Sequence, residues 1–139
     1  MGLVRAKIEL LNAIDLGLYR SKKSTEEEIR KVTINALVDS GAYYLCINED
    51  VWHQLGLPVI KRKLGQLADG SVQEFDVVGP IEVRFENRET TVDAMVMPGN
   101  AEVLLGAIPM EGMDVIIHPR KRKLMVNPEH PNIPQFSLK

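Results

Sequence analysis

Polar and apolar residues alternate over much of the chain, and that period of two predicts strands. Val4–Leu11, VRAKIELL, nearly alternates and ends at Asn12. Arg30–Val38, RKVTINALV, alternates again and is rich in β-branched residues, and Tyr43–Ile47, YYLCI, reads as a short strand. Two longer stretches fold back on themselves. VIKRKLGQLADGSVQEFDVV has two extended arms about Asp69-Gly70, a dipeptide suited to tight turns, and Gly79-Pro80 breaks its second arm. IEVRFENRETTVDAMVM turns about Asn87-Arg88, with alternation through Ile81, Val83 and Phe85. Val103–Leu105 predicts a strand that leads through Gly106 into a short helix, and Asp114–His118 pairs with Lys123–Val126 across HPRKR. Many short strands at close spacing predict a mainly β protein, a closed barrel or sandwich with one or two short helices.

The alternation fails in three places. Asn48 offers an N-cap, Glu49 and Asp50 suit a first helical turn, Val51, Trp52 and Leu55 form one apolar side, and Gly56 and Pro58 stop the element. Ser21–Glu28, SKKSTEEE, reads as a solvated loop, with a short helix start as the alternative. After Asn127 three prolines predict an extended or mobile tail. With no repeat and no linker, residues 1–139 read as one domain. Its core spans about 30–126, with an inserted loop or hairpin at 12–29 and a Pro-rich tail at 127–139.

Composition narrows the class. Hydrophobic content of 45% and charged content of 26% are ordinary for a globular chain, while 5% aromatics leaves the core to Val, Ile, Leu and Met. A net charge of -2 gives no general attraction to nucleic acid. Cys46 stands alone, so no internal disulfide forms, which fits a reducing compartment. The start MGLVRAKIELLNA lacks the apolar stretch and cleavage site of a secretory signal, residue 6 is Ala where myristoylation asks for Ser or Thr, and no apolar run spans a bilayer. The expected location is the cytoplasm, away from membranes.

The chemistry concentrates at Asp39-Ser40-Gly41-Ala42, an acid, a hydroxyl and two minimal residues directly after an apolar strand. Taken alone, the tetrapeptide is accounted for by an Asx turn that caps its own backbone. A carboxylate at the end of a buried strand is costly, however, unless partnered or used. Its surroundings add to this: ALVDSGA, a short strand, a helix ending LGL, a hairpin with a Gly tip, then VLLGAIPM. In this order and spacing, over roughly residues 30–126, the chain resembles the retropepsin-like (retroviral-type) aspartic proteases, and most of all their small bacterial and archaeal members.

The resemblance implies Asp39 as catalytic aspartate, Ser40 in the hydrogen-bonded grip between two active-site loops, and Gly41 and Ala42 completing the loop. It implies a flap with Asp69, Gly70 and Ser71 at or near its tip. Leu104, Leu105 and Gly106 become the apolar-apolar-Gly element under the loop, with a short helix following. Such chemistry needs two carboxylates sharing one proton, which titrate as a unit. The chain holds seven aspartates, and only Asp39 is followed by Ser or Thr and then Gly. A symmetric homodimer would supply the second copy. The segment 12–29, the single flap glycine and the prolines of the tail depart from the family pattern.

Two functions therefore stand as expectations. One is a homodimeric aspartic endopeptidase that binds an extended peptide under its flaps, with Val77, Val78, Leu104 and Ile108 as pocket walls and no metal or organic cofactor. The alternative is a catalytically silent fold of the same type that binds peptide or dimerises. Other features read plainly. His53, His118 and His130 lack metal-site spacing. Cys46 reads as a small buried hydrophobe. The basic clusters at Lys61–Lys63 and Arg120–Lys123 read as solvated turn and flap-arm residues. Trp52 reads as core packing.

Overall fold

A computed structural model describes residues 3–138, so the N-terminal reading at Gly2 lies outside the described residues. Nine strands and three helices follow in chain order: β1 Val4–Asn12, α1 Ala13–Arg20, β2 Lys31–Val38, β3 Leu45–Asn48, α2 Glu49–Leu55, β4 Val59–Gln66, β5 Val72–Phe85, β6 Arg88–Met97, β7 Leu104–Leu105, α3 Ala107–Met113, β8 Val115–His118 and β9 Lys123–Val126. Seven strands form one sheet in the order β1-β2-β7-β3-β6-β5-β4, and β1 also pairs with β5 through Glu9–Asn12. β8 and β9 form a separate two-stranded ribbon. Inward-facing residues of most strands meet in a main apolar core that includes Ile8, Leu10, Ala36, Leu45, Ile47, Val83 and Leu105, sealed by Leu55 of α2 and by Met110 and Met113 of α3, while Phe75, Val77 and Met95 form a separate small cluster. The period of two that predicted the strands is thus the alternation between this core and the outer surface.

Two expectations change. The segment 12–29 is neither loop nor hairpin at its start: Ala13–Arg20 is a helix, and Glu26–Glu28 a single 3-10 turn, so the helices number three rather than one or two. Asn12 causes the switch. Its Oδ1 accepts from the amides of Ile14 and Asp15 at 2.9 and 3.1 Å, which caps the helix, while its Nδ2 donates to the Leu55 carbonyl at 2.8 Å. The return from α1 is held by Asp15, which accepts from the Arg30 amide and, at 2.8 and 3.0 Å, from the Arg30 guanidinium. That guanidinium keeps the Asp15 carboxyl below the usual carboxylate range. Asn12 is 1% exposed. Asn12→Ala is expected to cost about 2 kcal/mol in urea unfolding, since it removes a cap and orphans a buried carbonyl.

The second change concerns Gly79-Pro80, which does not end its strand. β5 runs through it as one 14-residue element with an irregularity between Val78 and Ile81, and so serves both hairpins.

The tail is fastened rather than loose. Arg88, 1% exposed at the β5–β6 turn, donates to the His130 carbonyl, and Asn87 donates to the Pro131 carbonyl at 3.0 Å. Asp114 ends α3 in a left-handed conformation. Its carboxylate accepts from Asn127 Nδ2 and the Gln135 amide and meets His130 Nδ1 at 2.8 Å. These bonds, that of Asn127 foremost, lower the Asp114 pKa from 3.8 to about 2. A depressed carboxylate stabilises above its unfolded value and loses that contribution as pH falls through the folded one. Protection of the Gln135 amide, its exchange measured against the intrinsic rate at each pH, is expected to hold at pH 5 and fall between about pH 4 and 2, and Asp114→Asn should remove that fall.

Candidate active site

The site is assembled around two residues of β7. Leu104 and Leu105 pair in parallel with Leu37 and Val38 of β2, and on their other side antiparallel with Cys46 and Leu45 of β3. The chain leaving β2 must therefore cross the end of β7 to reach β3, and residues 39–44 make that crossing. The Asp39 amide donates to the Leu105 carbonyl at 3.0 Å; at the far side the amides of Ala107 and Ile108, at the start of α3, each donate at 2.8 Å to the carbonyls of Ala42 and Tyr43. Both ends of the loop are thus tied to one short segment, 105–108.

Gly106 makes this tie sterically feasible. A Cβ there would lie 2.5 Å from the Tyr44 carbonyl oxygen, 2.7 Å from the Tyr43 carbonyl carbon and 2.8 Å from the Ala42 carbonyl oxygen. Within the loop, the Gly41 amide donates to Asp39 Oδ1 at 2.9 Å and the Ala42 amide to the Asp39 carbonyl at 3.1 Å. The Asx turn is real, but it does not set Asp39 apart, because Asp69 makes the same bond from the Ser71 amide at 2.9 Å. Position does: Asp39 is exposed at the floor of a cleft of about 760 Å³, whereas Asp69 is not among the cleft residues.

The roof of that cleft is the β4–β5 hairpin. Lys63, Leu64, Gly65, Gln66, Leu67 and Ala68 line it, opposite Asp39, Gly41, Ala42, Tyr43, Tyr44 and Leu104. Phe75, Met95, Met97 and Cys46 complete it as an apolar floor. Gly65 allows the hairpin to lie close, since a Cβ there would meet the Phe75 ring at 2.8 Å. The turn itself is built by Asp69, whose Oδ1 accepts from both the amide and the hydroxyl of Ser71, and by Gly70 at φ 87°.

Residues 26–108, more than half of the chain, match the family described as Aspartyl protease. The chain belongs to that family. No curated protein matches it.

Within this aspartyl protease fold, the sequence-derived residues divide. Asp39, Gly41, Ala42 and Leu104 share the cleft. Leu105 and Gly106 are buried beneath the loop. Asp69, Gly70 and Ser71 form the exposed hairpin turn, and the cleft begins one residue before them, at Ala68. Ser40 faces away from the cleft, toward Ala107, Met110 and Glu111, and its hydroxyl has no partner among the described residues. Val78 is wholly buried in the main core and is not a wall of the cleft. Val77 and Ile108 line a neighbouring pocket of about 190 Å³ instead. Apolar character alone does not distinguish the two faces of β5, which carries Val77, or the two sides of α3, which carries Ile108.

The sequence reading left out Tyr43, Tyr44, Lys63, Leu67, Phe75, Met95 and Met97. Tyr43 and Tyr44 were assigned to a strand, yet β3 starts at Leu45 and both tyrosines belong to the loop, with Tyr43 71% exposed. An exposed pair of large rings beside the motif was the available signal. Cys46 is half-buried on the cleft floor rather than enclosed. Burial, and then the charge of Asp39, raise its thiol pKa, which disfavours the nucleophilic thiolate. Among the described residues no group of three or more His, Cys, Asp or Glu is arranged to hold a metal ion, and no helix is long and apolar enough to cross a membrane.

Proposed function

We propose that the chain is an aspartic endopeptidase that acts as a homodimer, with Asp39 of each protomer forming the catalytic pair. One observation carries this reading: among the described residues Asp39 is the single carboxylate in a roofed, peptide-sized cleft, on a loop whose next residues include the small Gly41 and Ala42. One carboxylate cannot be both the ionised base and the protonated acid, so a second must come from a partner. In the dimer, one Asp39 activates water and the other polarises the scissile carbonyl. The Ser40 hydroxyl, without a partner among the described residues, would bond to the partner's loop. Extended substrate would lie between loop 39–44 and the β4–β5 hairpin. The paired β1–β2 and β1–β5 edges support a closed barrel as the scaffold.

The test is cleavage of a mixed, unfolded protein digest at several pH values by wild type and by Asp39→Asn at matched concentration. Cuts made by the wild type alone support the reading. Cuts made equally by both would end it, as would a folded chain that stays strictly monomeric at high concentration. A dimer that retains peptides without cutting them would favour the silent binding module.

A further inference from the structure

We infer that the cleft selects peptides bearing an acidic side chain close to the scissile bond, and that Lys61 and Lys63 read it; this rests on the proposed endopeptidase reading. β4 alternates, so Lys61 and Lys63 share one face and Arg62 takes the other. The two faces are treated differently. Arg62 is neutralised twice, by Asp76 at 3.1 Å and by Glu74 at 3.4 Å. Neither lysine has a carboxylate partner among the described residues. Lys63 is half-buried, with its Nζ 5.0 Å above the Tyr44 ring, and lines the Asp39 cleft.

Both lysines also line the adjoining pocket of about 190 Å³, whose walls include Val77, Val92, Met95 and Ile108. That pocket shares Tyr44, Lys63 and Met95 with the Asp39 cleft, so a peptide extended along the cleft can lower one side chain into it. Among the described residues Asp93 is the one carboxylate lining it, against two lysines, which leaves the lining net cationic. In the main cleft Lys63 is the only cation beside Asp39 among the described residues. Apolar walls with an unneutralised cation at the rim suit an aliphatic stem ending in a carboxylate, which describes glutamate. A Lys or Arg at that substrate position would meet like charges in a partly desolvated site.

The probe is a degenerate synthetic peptide library, read by mass spectrometry both as products cut by the wild type and as peptides retained by Asp39→Asn. Glu or Asp is expected to be enriched about tenfold over Lys and Arg at one position near the cut, the ratio a single partly desolvated ion pair supplies. K61E/K63E should reverse the preference toward basic residues, and the milder Lys63→Gln should reduce it. Cuts with no acidic preference, or a preference unchanged in K61E/K63E, would overturn the inference while leaving the endopeptidase intact. Acid-enriched retention by Asp39→Asn without any cutting by the wild type would do the reverse, sinking the endopeptidase and keeping the acidic subsite.

Discussion

Asp39→Asn is expected to lower peptide hydrolysis by about 10⁴-fold or more, the scale on which removal of a reacting group acts, with little change in melting temperature. The separation of the two effects follows from the loop. Asn keeps a side-chain oxygen able to accept from the Gly41 amide, and the main-chain bonds to Leu105 and Ala42 involve no carboxylate. What disappears is the shared proton: an amide can neither ionise to activate water nor exchange the proton with its mate. Mixing sharpens the test. In an equimolar, re-equilibrated mixture of wild type and variant, about one quarter of randomly formed dimers carry two aspartates. Activity per mole of total protein should then fall to about a quarter of the wild-type level. Chains that act independently would give about a half, and that result would remove the shared pair even if Asp39 proved essential.

Gly106→Ala should have the next largest effect, and on both stability and turnover. The added methyl would lie within 2.8 Å of three backbone atoms, from Ala42, Tyr43 and Tyr44. No rotamer relieves a clash with main chain, so either the start of α3 or the loop must move. Both choices break the bonds from the Ala107 and Ile108 amides that hold the loop. Overpacking of this kind costs about 3 kcal/mol, readable as a lowered urea midpoint, and the displaced loop should carry Asp39 out of register with its mate. Gly17→Ala is the control: nothing lies within 4 Å of a Cβ there, and the residue is helical, so stability should hold or rise slightly. Equal behaviour of the two variants would show that close approach under the loop is not the role of Gly106.

These two sites were legible in the primary structure to different degrees, for physical reasons. Strand periodicity located β1 and β2 because alternate residues of each point into the core, whereas β4 has no buried residue and was legible as one arm of the turn at Asp69-Gly70. α2 was legible from its ends, Asn48 accepting from the Val51 amide and Gly56 at φ 60°. α1 was not: AIDLGLYR contains a mid-helix glycine and leaves Ile14, Leu18 and Tyr19 substantially exposed, so no apolar stripe stands out. Its signal was the cap, and Asn12 closes a strand as readily as it opens a helix. Asp39 was found because an acid, a hydroxyl and two small residues follow an apolar strand. The roof of the cleft was harder, because Lys63, Gly65 and Leu67 reach the site only through the curvature of the hairpin, which no short pattern encodes. Val78 was misplaced for the converse reason: an apolar residue near a site and one beneath it are alike in one dimension.

β1 lies outside the matched span, yet it is bonded to β2 over eight residue pairs and to β5 over four. A fragment cut to residues 26–108 would therefore keep every residue of loop 39–44 and of the overhanging hairpin while exposing two long, unprotected strand borders. Such borders template pairing with other chains. The portion that carries the family's signature and the portion whose sheet edges are paired are different lengths of polypeptide, and part of the difference is a strand that contributes nothing to the cleft.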